Sequence, residues 1–275
     1  MSSRAICILG TGRSGTSLMA HLLCNLGVYW GINLLPADRN NEGGYWEDRE
    51  IIGMHRSIRQ RYGSPLPFLH PEWVQTPYGK EIKEKITAYI KSDFIQHPLW
   101  GWKDPRTSEY VAMWKEIAKE LNFTLQYVVM VRNPLDVTYS MRESWGSSDG
   151  GALFYWKLHA LLDLYMTEGE SRYVVEYDRL LSHPVAEVKR LWDALDIPSE
   201  GDEWLARKTS EVVNPKLHHH RTGTEQWEKL AYTHPAIYNL YCLYRRVAEE
   251  PALLEQEKIK REVEWMVEQM KMKGH

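Results

Sequence analysis

Cysteine is scarce in this chain, and the few present do not form a pattern that chemistry would use. Cys7, Cys24 and Cys242 are the only three among 275 residues, odd in number, far apart and set in apolar runs. That usage implies reduced, buried thiols rather than a disulfide framework, and so a cytoplasmic compartment. Neither a C-x-x-C pair nor an H-E-x-x-H segment occurs, so no metal, structural or catalytic, is expected. Long apolar runs are missing too, since none approaches the roughly 18 residues of a spanning helix. Met1-Ser2-Ser3-Arg4 leads directly into the first apolar run, leaving no room for a signal peptide. Charge of one sign is also lacking: 34 Lys and Arg against 37 Asp and Glu leave a net charge of −3. Such a balance gives no reason to expect a nucleic-acid partner or an anionic membrane surface. With no internal repeat, low-complexity linker or break in composition, residues 1–275 are expected to form a single domain, with 234–275 as a helical extension.

What the chain does have begins at Ile6. An apolar, β-branched run meets Gly10-Thr11-Gly12-Arg13-Ser14-Gly15-Thr16-Ser17, and Leu18, Met19, Leu22, Leu23 and Leu26 follow at helical spacing until Gly27. Strand, Gly-rich loop and helix in that order make an anion site from backbone alone. Glycines allow a close approach, and the first helical turn offers unpaired N–H groups at the positive end of a dipole. Arg13 adds a full charge, and Ser14, Thr16 and Ser17 add hydroxyls. The spacing matches G-x-x-x-x-G-K-[ST] except at the lysine, where Thr16 stands. A nucleoside triphosphatase needs that lysine on its phosphates, so this loop is expected to hold a different phosphate compound.

Residues 31 to 46 form a long loop that ends in Gly43-Gly44-Tyr45-Trp46-Glu47, and a helix follows from about Asp48 with Ile51, Ile52, His55 and Ile58 on one side. Ile82, Ile86, Tyr89 and Ile90 mark another helix. Leu99-Trp100-Gly101-Trp102 reads as a short strand running into Lys103-Asp104-Pro105-Arg106, and a helix follows with Val111, Trp114, Ile117 and Leu121. Leu125 to Val131 is apolar almost throughout, as expected of a strand buried on both faces of a parallel sheet. It ends at Arg132-Asn133-Pro134, with Asn133 as helix cap, Pro134 at the first helical position and Asp136 in the first turn. A further strand over Arg172–Val175 and a helix over Val185–Leu195 complete an alternation. The expected fold is α/β, three-layer and P-loop-like, with a central parallel sheet flanked by helices. Residues 197–227 show little periodicity, and two C-terminal helices are expected to open at Pro235 and Pro251.

Two of these stretches carry a family resemblance. Arg13-Ser14-Gly15-Thr16 behind an N-terminal strand is similar to the 5′-phosphosulfate loop of the sulfotransferases that use 3′-phosphoadenosine 5′-phosphosulfate (PAPS). Val128 to Ser140, a buried strand followed by R-N-P-x-D and a serine eight residues after the arginine, resembles their 3′-phosphate segment. Tyr173 to Pro184 is similar to a strand and acidic turn of the same family. Trp100 to Arg106 and Gly43 to Glu47 look like segments of its bacterial members. The resemblance spans roughly residues 4 to 196 and leaves the C-terminal helices unmatched.

This resemblance implies sulfuryl transfer from PAPS to a hydroxyl or amine without a metal. It places Gly12, Arg13, Ser14, Gly15, Thr16 and Ser17 on the 5′ end of the donor, and Arg132 and Ser140 on the 3′-phosphate. Arg221 and Gly223, in a basic loop beside His218-His219-His220, would close over that phosphate. Arg13 would stabilise the departing phosphate and Lys103 the sulfuryl group. Relatives carry a histidine near this last point, where the chain has Asp104-Pro105, so the general base stays open among three residues. Glu47 comes first, because other sulfotransferases supply a glutamate just after the first helix and because the rings of Tyr45 and Trp46 would make a carboxylate more basic. Asp104 and His55 follow. Twelve tryptophans, with Trp30, Trp46, Trp73 and Trp145 in or near loops, lean toward a glycan acceptor over another small molecule. A P-loop nucleotide kinase and a non-catalytic nucleotide-binding module remain the competing readings.

Overall fold

The computed structural model describes residues 3–38, 41, 43–63, 69–213 and 222–273. Strand β1 (Arg4–Leu9) lies between β2 (Leu99–Lys103) and β3 (Thr124–Val131), and β3 pairs outward with β4 (Arg172–Glu176). Every pairing is parallel, with Ile6 level with Gly101 on one side and Gln126 on the other. All four strands therefore point their carboxyl ends at the same edge, the edge where open α/β sheets take ligands.

Because successive side chains leave a strand on opposite faces, the sheet feeds two cores. Ile6, Ile8, Val128, Met130 and Val175 pack with α1 (Thr16–Asn25), α7 (Tyr177–Ser182), α8 (Pro184–Ala194) and α9 (Asp202–Val212). Cys7, Trp100, Trp102, Val129 and Val174 face the other layer, built from α2 (Arg49–Tyr62), α3 (Pro77–Ser92), α4 (Thr107–Leu121), α5 (Pro134–Trp145) and α6 (Asp149–Met166). The C-terminal pair α11 (Pro235–Glu249) and α12 (Glu257–Lys273) adds Leu240, Tyr244, Val263 and Val267 to that second core. The three-layer α/β arrangement is the one the alternation of strands and helices predicts. Trp102 stacks on Trp114 with ring centroids 3.9 Å apart, which anchors β2 to α4. Cys7, Cys24 and Cys242 are free thiols. Among the described residues no helix is long and apolar enough to cross a membrane.

Four elements differ from the sequence expectations. Helix α6 carries buried side chains on nearly every side, from Ala152 through Trp156 and Leu161 to Met166, so the apolar stripe that marks an amphipathic helix is missing from its sequence. Within the stretch 197–227, α9 buries only Leu205 and Thr209, too little to set a period, and α10 (Thr224–Thr233) buries only Leu230. Pro251 opens a 3₁₀ turn over Pro251–Glu255, and the last helix begins at Glu257 instead.

Asp163, on α6, sits deep in this packing. Burial pushes its carboxyl up from the ordinary 3.8 to about 7, only partly countered by the hydrogen bond from Ser108. For an acid whose folded pKa is raised, stability is complete below the unfolded value and erodes as pH climbs through the window up to the folded one. Asp163→Asn is expected to gain about 2–3 kcal/mol relative to wild type between pH 5 and pH 8. Denaturant melts of both proteins at the two pH values check this, and a pH-independent difference contradicts it.

Candidate functional site

The loop after β1 curls so tightly that two of its glycines have no substitute. Gly10 has φ +132°, and a Cβ there would lie 2.5 Å from the Met130 carbonyl oxygen. Gly15 has φ +91°, and a Cβ would meet the Tyr177 ring at 2.4 Å. Arg13 itself takes a left-handed φ of 71°, a strained conformation of the kind found at ligand clamps. Helix α1 then starts without a side-chain cap or an acidic residue in its first turn, which leaves its positive end open to an anion. Gly15→Ala combines the strained φ with the ring clash. It is expected to distort the loop and to lower stability by about 1–3 kcal/mol, as thermal melting would show.

Arg132 directly follows β3 and Arg13 lies in the loop four residues past β1, and because paired strands lie about 5 Å apart the two arginines meet. The Arg132 guanidinium donates to the Arg13 carbonyl oxygen at 3.3 Å and lies over the Tyr177 ring at 4.6 Å. Arg13 Nε donates to Ser140 Oγ at 3.0 Å. Burial and the charge of Arg132 both press the Arg13 guanidinium below its ordinary pKa. An anion between these two cations would relieve that repulsion.

Across the same edge, Lys103 ends β2 with its side chain 3% exposed. Its ammonium donates to Glu47 Oε1 at 2.6 Å and to the Tyr45 carbonyl at 3.1 Å. Ser17, in the first turn of α1, donates to that same carbonyl at 3.2 Å, so one oxygen atom separates the ammonium from the phosphate loop. Arg106 adds a longer contact to Glu47 Oε2 at 3.7 Å. The sequence suggested aromatic company for Glu47, but its neighbours are cations. The Tyr45 hydroxyl turns away to Asp38, and Trp46 stacks on His21.

Asp104 and His55 form a buried brace behind this pair. Trp114 Nε1 donates to His55 Nε2, so the proton of the ring is on Nδ1, which donates to Asp104 Oδ2 at 2.8 Å. Burial lowers the His55 pKa and outweighs the pull of Asp104. Burial would raise Asp104, yet the bond from His55 and the Arg106 guanidinium hold it below the usual carboxylate range. Asp104 Oδ1 also receives the Arg106 guanidinium at 2.9 Å, fixing that arginine beside Glu47.

A cavity of about 630 Å³ joins the two sides. Gly12, Arg13, Gly15, Thr16 and Ser17 line it, together with Arg132, Glu47 and Lys103. Ser14 does not, because its fully buried hydroxyl donates to the Thr11 carbonyl and holds the loop closed. Ser140 reaches the site only through Arg13. Asp104 and His55, both 0% exposed, stay outside the cavity. Gly223 starts α10 away from the cavity. Its neighbour Thr222 donates to Asp136, and the cap of α5 is Asn133, whose side chain accepts from Leu135 N. Arg221 and His218 to His220 lie outside the described residues. Of the loop tryptophans, Trp30 and Trp73 belong to the core, and Trp145, 52% exposed, is the one that lines the cavity. Among the described residues no group of His, Cys, Asp or Glu converges as a metal site.

Sequence reasoning missed Arg56 and Arg59 on α2, Tyr155 on α6, and Tyr177, all of which line the cavity. Tyr177 was within reach, since it follows β4 as Arg132 follows β3. The others sit on helices with no motif around them. Burial lifts the Tyr155 phenol above its ordinary pKa, so its hydroxyl is a donor at neutral pH. A second cleft of about 350 Å³ adjoins the first, sharing Ser17, Leu18, Asn41 and Tyr177 with it and continuing past His21, Leu181 and Val212.

No protein-family model matches the chain, and no curated protein does. Among solved structures it is similar to the sulfotransferase domain from the Synechococcus PCC 7002 olefin synthase, at 21% identity over 89% of this chain and 95% of that one, with a TM-score of 0.50. A sulfotransferase domain from the curacin biosynthetic pathway matches at 16% identity over 88% and 97%, TM-score 0.47. Retinol dehydratase, in complex with androsterone and inactive cofactor PAP, matches at 12% identity over 85% and 69%, TM-score 0.38. The first of these likenesses establishes a shared fold.

Proposed function

We propose that the chain is a PAPS-dependent sulfotransferase acting on a hydroxyl or amine of a small molecule. The observation that carries this reading is the continuous wall formed by the phosphate loop, Arg13 and Arg132, faced across one cavity by the buried Glu47–Lys103 pair. A bisphosphorylated nucleotide would fit that wall with its 5′ end on the N–H groups of Gly12 to Ser17 and its 3′-phosphate on Arg132. Its base would enter the adjoining cleft between Leu18, Leu181 and Val212. PAPS supplies the activated sulfuryl group, and the protein positions it and manages charge. Glu47 would take the proton of the acceptor, and Lys103, one carbonyl from the loop, would stabilise charge on the sulfuryl oxygens. Arg13 would meet the charge that grows on the departing phosphate. His55 and Asp104 act by positioning Arg106 against Glu47. Titration calorimetry without metal tests the reading. 3′-Phosphoadenosine 5′-phosphate (PAP) is expected to bind at least tenfold more tightly than ATP, and a preference for ATP would overturn it.

A further inference from the structure

The donor end does not account for all of the positive charge. Among the described residues six cations line the main cavity, Arg13, Arg56, Arg59, Lys103, Arg106 and Arg132, against two acids, Asp38 and Glu47. Arg13, Lys103 and Arg132 sit at or just past the carboxyl ends of β1, β2 and β3, the row a nucleotide would occupy. The other three do not belong to that row. Arg56 and Arg59 are one turn apart on α2, and Arg106 enters from the turn before α4 on the far side of Glu47. Two of these guanidinium groups are held from behind by buried acids: Glu109, 0% exposed, lies 3.3 Å from Arg59, and Asp104, 0% exposed, 2.9 Å from Arg106. Such backing holds each guanidinium at the cavity wall. Arg56 stands at the exposed end of the cluster. Tyr155 lines the same cavity within reach of the charges of Arg59 and Arg106 and adds a hydroxyl.

Resting on the sulfotransferase reading above, the geometry points to an acceptor that is itself an acid: a hydroxylated molecule carrying a carboxylate or phosphate, held by Arg56, Arg59 and Arg106. Its hydroxyl lies at Glu47 and its acid group a few bonds farther out. A neutral acceptor such as an unmodified sugar or sterol would offer these guanidinium donors no charge-assisted partner, which disfavours it. The transfer itself is unchanged. The acceptor oxygen forms the new S–O bond as the bond from sulfur to the bridging phosphate oxygen breaks, and the acceptor proton goes to Glu47.

Calorimetry on the PAP-saturated protein tests this with two matched pairs, 4-hydroxyphenylacetate against 4-hydroxyphenylacetamide and glycerol 3-phosphate against glycerol. At least one acid is expected to bind tenfold or more tightly than its neutral counterpart. A preference confined to the first pair assigns a carboxylate, one confined to the second assigns a phosphate, and both together assign the shared oxyanion chemistry. Arg56→Gln is expected to lose at least fivefold of that preference, with PAP affinity in the variant reporting an intact fold. Neutral partners binding as well as the acids, no acid binding, or a full preference in Arg56→Gln overturns the proposal while leaving the donor assignment standing. Failure of PAP to bind the wild-type protein removes the donor assignment instead, and this proposal with it.

Discussion

Arg132→Ala is expected to weaken PAP about a hundredfold, the loss of roughly 3 kcal/mol of charge-assisted contact. Adenosine 5′-phosphosulfate, which has no 3′-phosphate, should lose no more than about threefold, since its remaining contacts are with the loop. The split between the two ligands is the informative quantity. Arg132 also touches the Arg13 carbonyl and covers the Tyr177 ring, so a merely structural role would disturb the loop and weaken both nucleotides alike. Equal losses would show that the arginine shapes the loop and does not hold a phosphate. Titration of both ligands into both proteins at one salt concentration makes the comparison, because phosphate binding is strongly screened by salt.

Glu47→Gln should lower kcat by about 10² to 10⁴-fold, the range for loss of a general base. The amide keeps the shape of the side chain and leaves an oxygen for Lys103, whose buried ammonium otherwise would keep only the Tyr45 carbonyl. PAP affinity should therefore stay within about twofold, because the loop and Arg132 are untouched. Steady-state kinetics at saturating PAPS together with a PAP titration check both halves. Full kcat in the variant would transfer the role of base to another group. The buried brace offers no ready replacement. His55 has both ring nitrogens engaged, Asp104 is held ionised by its partners, and neither lines the cavity.

Most of the wall built from the glycine-rich loop and Arg132 was legible in the sequence because it is a matter of chain order. A strand, a Gly-rich turn and a helix start occupy consecutive residues, and an arginine directly after a buried strand must sit at the ligand edge of a parallel sheet. The same rule reaches Tyr177 after β4 and Lys103 at the end of β2. Ser14 shows its limit, since a hydroxyl in the right motif was consumed in closing the loop. The opposite wall of the cavity was illegible for the opposite reason. Arg56, Arg59 and Tyr155 come from two helices distant in sequence, and only the packing of α2 and α6 brings them to one cavity. Helix α6 was itself hidden, because a helix buried all round has no polar face to give it a period. Glu47 was found by position and misjudged in its surroundings, since the partners that matter, Lys103 and Arg106, lie more than fifty residues away.

A crystal structure of the protein with PAP bound tests the account most directly. It should place the 5′-phosphate on the backbone N–H groups between Gly12 and Ser17 and the 3′-phosphate against the Arg132 guanidinium, with Lys103 and Glu47 facing the vacant sulfuryl position. PAP lying elsewhere, or bound with Arg132 turned out of the cavity, would contradict it.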